Sequence, residues 1–189
     1  MTMTITAERR GEHGKEASKR VRDAGKIPAV FYGHGVETTT VSVDPKSLSK
    51  ALANPKGLNG LFGLNLDGSD AAQRVFVREL QRHPVSRNIL HIDLVAPNPD
   101  KELTAVVPLR FTGRSIGVST GGRMRKPYRE VKVRALPDQI PGEIVIDVTN
   151  IDQGDAVYAS QLDAGQGSVV YDRDFVIVKV AAPRGGNKK

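Results

Sequence analysis

Apolar residues along this chain recur mostly at alternate positions or in short unbroken runs, and seldom at helical spacing. That pattern predicts strands over 29–32, 39–43, 61–66, 74–79, 89–95, 103–111, 130–135, 144–148, 168–171 and 175–180. Glycine, proline, asparagine or aspartate stands between most of these runs and punctuates them as turns. Two stretches, 16–24 and 45–53, read as helices instead. In the second, Asp44 is placed to cap and Pro45 to open the first turn, with Leu48 and Leu52 four apart on one face. This helix should stop before Asn54-Pro55. The expected class is mainly β.

The segment Ala96-Pro97-Asn98-Pro99-Asp100 divides the pattern, because two prolines in a short polar stretch end a ladder and stiffen a connection. It predicts a mixed domain over 1–96, a domain of strands and turns over 97–183, and a short basic tail over 184–189. No internal repeat is visible.

Composition narrows the function classes. The 189 residues include 28 Lys and Arg against 21 Asp and Glu, a formal charge of +7, which favours a polyanionic partner. Cysteine is absent, which removes disulfide scaffolds, thiolate metal sites and cysteine nucleophiles together. No apolar run approaches the roughly 20 residues of a membrane span, and the first residues lack the layout of a signal peptide, so a cytoplasmic protein without membrane contact is expected. In the second half, 110–134 carries eight basic residues against Glu130 alone, whereas 135–171 carries six acids and no Lys or Arg. Such a domain is either electrically two-sided, or the fold interleaves the two groups and cancels them.

The chemistry-bearing residues concentrate in the first half. Arg9, Arg10, Lys15, Lys19, Arg20, Arg22 and Lys26 crowd the N-terminal segment. Lys15 and Lys19 lie four apart, and Glu16 is spaced to pair with Arg20; a nucleic-acid surface and an ordinary solvated helix both fit this pattern. Tyr32 ends a strand, where its hydroxyl can reach a phosphate or ribose, or else bond to backbone. Pro84 pushes His83 toward extended geometry, so Gln81-Arg82-His83 should leave the strand as a loop. His91 and Asp93, two apart on a strand, should share a face. An imidazole beside a carboxylate can bond a ribose 2′-OH and a base amino group. Besides His83 and His91 only His13 and His34 remain, neither at zinc-like spacing to His91, so neither a metal nor a catalytic site is expected. The glycine-rich run 113–122 lacks the closing Gly-Lys-Ser/Thr of a phosphate loop and reads as a β connection.

Several of these segments together resemble a known family. They are Ser18-Lys19-Arg20-Val21-Arg22, Lys26-Ile27-Pro28-Ala29-Val30-Phe31-Tyr32-Gly33, Val77-Arg78-Glu79-Leu80-Gln81-Arg82-His83-Pro84 and His91-Ile92-Asp93-Leu94. In this order and spacing they resemble the bacterial 5S-rRNA-binding large-subunit ribosomal proteins of the Ctc, or general-stress, type in its two-domain form. Val107-Pro108-Leu109 and Ile146-Asp147-Val148 extend the likeness into the second half.

The resemblance implies a small N-terminal β-barrel with flanking helices, which grips the loop E region of 5S rRNA, followed by a C-terminal all-β domain. It implies RNA contacts at Arg10, Arg20, Tyr32, His91 and Asp93, with Lys15, Lys19 and Gln81 as helpers. The implied protein is non-enzymatic, needs no cofactor or metal, is monomeric when free, and sits on the large subunit against neighbouring proteins or 23S rRNA. The alternative it leaves is a stress-induced, loosely ribosome-associated factor acting through protein contacts of its C-terminal domain. Glu16 departs from the family pattern, which often has glycine there, and 123–128 is unusually basic.

Overall fold

The computed structural model describes residues 3–69 and 72–182; the expected tail over 184–189 lies outside them. The chain divides into two compact units. One runs to Leu103 and takes in Leu136–Asp138; the other holds Thr104–Ala135 and the chain from Gln139 on.

The first unit is a closed barrel of six strands: β1 (Thr4–Arg9), β2 (Ile27–Gly33), β3 (Val36–Val43), β4 (Leu61–Leu66), β5 (Gln73–Arg82) and β6 (Ile89–Ala96). Their order around the wall is β1-β3-β2-β6-β5-β4, and a parallel pairing of β1 with β4 closes it. Closure follows from the period-two pattern. Ile5 and Ala7, Ala29 and Phe31, Val41 and Val43, Phe62 and Leu64, Val75 and Val77, and Ile92 and Leu94 all point inward and are buried. A closed wall also leaves no strand edge to template association. At the turn after β2 the backbone passes so near Ala96 that a Cβ on Gly33 (φ +135) would lie 2.3 Å from the Ala96 carbonyl oxygen. Only glycine fits there.

Two helices flank the barrel. α1 (Lys15–Asp23) buries Ala17, and α2 (Pro45–Leu52) buries Leu48 and Ala51 in the barrel core. The Asp44 carboxylate accepts from the Ser47 N–H at 2.7 Å with Pro45 at the first position, so the local signals for this helix carry over intact.

The second unit contains a four-stranded sheet, ordered β10 (Ile144–Asp147), β7 (Leu103–Thr112), β9 (Glu130–Ala135) and β12 (Ser168–Val169). A three-stranded sheet places β13 (Val176–Ala181) between β11 (Ala156–Tyr158) and β8 (Arg123–Arg125). The first sheet sets strands from the acidic stretch, β10 and β12, on either side of the basic β7 and β9. Arg110 accordingly pairs with Glu143 at 3.0 Å. Here the topology interleaves the two charge groups.

Within 113–122 the chain makes one turn of helix, α3 (Ile116–Ser119), where a β connection was expected. The Ser115 hydroxyl caps it by accepting from the Val118 N–H and donates to the Ile151 carbonyl at 2.5 Å. A Cβ on Gly117 would lie 2.6 Å from the Gln153 backbone nitrogen, so this glycine serves close packing. Strands β1, β8 and β11 were not predicted, and of 168–171 only Ser168–Val169 forms a strand, with the Val170 N–H adding a bond to the Lys132 carbonyl at 2.8 Å.

Candidate nucleic-acid interface

The outer wall of the barrel is the other half of the alternation that fills its core. Register carries one row of outward positions across four strands, with Thr40 of β3 opposite Val30 of β2, Val30 opposite Asp93 of β6, and Asp93 opposite Glu79 of β5. One step along, Gln81 of β5 faces His91. Gln81 and Arg82 thus remain in the ladder of β5, contrary to the expected loop. Pro84 constrains only the residue before it, and that is where the strand ends.

On this wall His91 Nδ1 lies 2.8 Å from Asp93 Oδ1, both side chains about three-quarters covered. Beside them the Gln81 amide donates to the Glu79 carboxylate at 2.8 Å. Tyr32, two residues beyond Val30, is half-buried, and its hydroxyl bonds none of the described residues.

Arg10 reaches this wall from the end of β1. Its N–H donates to the Thr40 carbonyl at 3.0 Å, and the Thr40 hydroxyl donates to the Arg10 carbonyl at 2.8 Å. The guanidinium itself is left unanswered, since its Nε and Nη1 are buried with no hydrogen-bond partner among the described residues. Burial first, and the charge of Arg22 second, lower the Arg10 pKa from its usual value. Two nitrogens of this half-buried cation are thus covered without a partner, with a second cation nearby.

α1 supplies the remaining charge. Lys15, Lys19 and Arg22 fall at i, i+4 and i+7, on one exposed stripe opposite buried Ala17. Neither Lys15 nor Lys19 has an ion-pair partner among the described residues. Arg22 ends the stripe by donating from Nε to the Leu90 carbonyl at 3.2 Å, next to His91. Arg20 pairs with Glu12 at 2.8 Å and not with Glu16, because Glu12, in the loop before the helix, reaches it first. Arg20 therefore joins Gln81 and His91 among the expected contact residues already engaged by a carboxylate. Arg22 was left out of that set, although its spacing from Lys15 and Lys19 marks it.

Among the described residues no three His, Cys, Asp or Glu side chains gather to hold a metal.

Fold and site define a two-domain β protein whose barrel wall carries cations beside a fixed imidazole–carboxylate pair. Residues 5–94 match the Ribosomal L25p family, and residues 102–184 match the C-terminal domain of ribosomal protein TL5. A protein of Anaeromyxobacter sp. (strain Fw109-5) named large ribosomal subunit protein bL25 is 41% identical over 180 residues, covering 95% of this chain and 76% of its own. Its namesake in Syntrophus aciditrophicus (strain SB) is 37% identical over 187 residues, covering 97% and 93%. The chain belongs to the Ribosomal L25p family. It is a structural ribosomal protein in its two-domain form, and not an enzyme.

Proposed function

We propose that this protein binds 5S rRNA at its loop E region, within the large subunit of the cytoplasmic ribosome. The observation that carries the reading is that Arg22, at the end of the α1 stripe, bonds the Leu90 carbonyl next to the His91–Asp93 pair. The Lys15–Lys19–Arg22 stripe and the unanswered Arg10 guanidinium supply phosphate contacts. The His91–Asp93 pair supplies a donor and an acceptor already oriented for sugar and base edges. Phosphate contacts set position, and polar contacts to base edges and 2′-OH groups confirm an RNA of the right shape. Tyr32 and Gln81 border this barrel wall, and Arg20, on α1, would exchange Glu12 for phosphate on binding.

The test is a titration of the full chain against isolated 5S rRNA, with intact and with mutated loop E, at two salt concentrations. Tight binding that requires intact loop E is expected. With about six phosphate contacts, it should weaken by roughly a thousandfold between 50 and 200 mM salt. Binding indifferent to loop E overturns the reading.

A further inference from the structure

A groove of about 800 Å³ opens at the end of the barrel near the start of β2, bounded by α2, the turn after α1 and the β5–β6 hairpin. Its floor is aliphatic: Ile27, Leu52, Ile89 and Leu90. Leu52 and Ile89 are partly buried residues packed on the barrel core, so the floor is the core showing through the barrel mouth. Its rim is cationic, carrying Arg22, Lys26, Arg82 and Arg87. No carboxylate lines it, and its one aromatic ring is the His83 imidazole.

These cations differ in how far they are free. Lys26 is held by Glu8, and Arg22 by the Leu90 carbonyl. Arg82 and Arg87 are exposed and have no carboxylate partner among the described residues. The hairpin is nonetheless a built structure. His83 Nδ1 accepts from the N–H groups of Val85 and Ser86 at 3.3 and 3.1 Å, and the Arg87 N–H donates to the His83 carbonyl at 3.0 Å. Arg87 sits at φ +61, a backbone conformation that costs a non-glycine residue energy and fixes where its side chain leaves the chain.

We propose that this groove docks a short acidic segment of a partner protein that also carries aliphatic side chains. Charge complementarity requires an anion on the rim. The floor decides which kind: four aliphatic side chains call for aliphatic partners, and the one aromatic ring, that of His83, has its Nδ1 tied into the hairpin by two backbone N–H groups. Leucine- or valine-like side chains fill an aliphatic floor, and carboxylates meet the guanidinium forks of Arg82 and Arg87 in paired hydrogen bonds. The site shares Arg22 with the RNA stripe but not Arg82 or Arg87, so substitutions at these two arginines test it apart from 5S rRNA binding.

The experiment measures binding of the full chain to a short fluorescent peptide alternating glutamate and leucine, with methyl NMR of Leu52 and Ile89 recorded alongside. Saturable binding with shifts at those methyls is expected. Affinity should fall by about tenfold or more when glycine replaces the leucines, when glutamine replaces the glutamates, or in the Arg82→Ala/Arg87→Ala variant. Equal binding of the glutamate–glycine peptide reduces the groove to a generic basic surface and overturns the proposal. So do unmoved Leu52 and Ile89 methyls in the unaltered protein, a reading that needs no variant to fold. A short single-stranded oligoribonucleotide that shifts the same methyls and displaces the peptide reassigns the groove to nucleic acid.

Discussion

Asp93 holds the imidazole of His91 through a contact of 2.8 Å between two outward positions of one strand. Because a carboxylate accepts at Nδ1, the ring carries its proton there, and Nε2 is left as the group facing outward chemistry. Replacement of Asp93 by asparagine keeps the size and one acceptor oxygen but removes the charge and the second acceptor, weakening both the hold on His91 and the bond to RNA donors. Asp93→Asn is expected to weaken 5S rRNA binding by about 1–3 kcal/mol, as for loss of one base-edge contact. Titration at fixed salt measures it. An unchanged Kd removes the pair from the interface.

Arg10 makes function and stability pull apart. Its buried Nε and Nη1 lack partners, and Arg22 stands close enough to repel it. In the free protein such a group costs stability, of order 1–3 kcal/mol for an unanswered buried donor. Arg10→Met keeps the apolar stem and discards the charge. It should melt at an equal or higher temperature than the unaltered protein while binding RNA more weakly. A variant that is both less stable and unimpaired in binding would show the guanidinium to be a packing element.

The stripe on α1 makes a prediction in salt. Lys15 and Lys19 touch no carboxylate among the described residues, so either one, on meeting a phosphate, releases counterion in full. Lys19→Ala should reduce the slope of log K against log salt by about 0.7–0.9, with the same loss for matched and mutated loop E. An unchanged slope would place Lys19 away from the backbone.

Legibility in the sequence followed the range of the interactions. α2 was readable because its signals are neighbours, Asp44 and Pro45 at one end and Leu48 on the buried face. His91 and Asp93 were placed on one face by strand period alone. β1 escaped because Ile5 and Ala7 are its only apolar positions; it is a strand because β3 and β4 need it to close the wall. β8 and β11 are three residues each, too short to show a period. The pairing of Arg20 with Glu12 depends on the path of a loop, and the isolation of Arg10 depends on where α1 comes to rest. No spacing rule contains either. Nor could sequence tell that strands from the acidic stretch would flank β7 and β9, since that is a matter of strand order.

The second unit offers a test in acid. The Asp147 carboxylate accepts from the Thr149 hydroxyl at 2.5 Å and from the Thr149 N–H at 2.9 Å. The hydroxyl bond first, and the backbone bond second, hold Asp147 below the usual carboxylate range against a small opposing effect of desolvation. A carboxylate whose folded pKa lies below its unfolded one binds its proton more readily once unfolded. The stability it lends is therefore complete above the unfolded pKa and is lost as pH falls through the folded one. Thr149→Val removes the hydroxyl bond and leaves the backbone bond in place. Carbon-13 NMR titration of Asp147 should show its pKa rising in this variant while remaining below that of a free aspartate. The loss of stability on acidification should then be smaller and be complete at a higher pH. If the pKa does not move, the hydroxyl contributes nothing to holding the charge, and the turn from Asp147 to Thr149 is kept by its backbone alone.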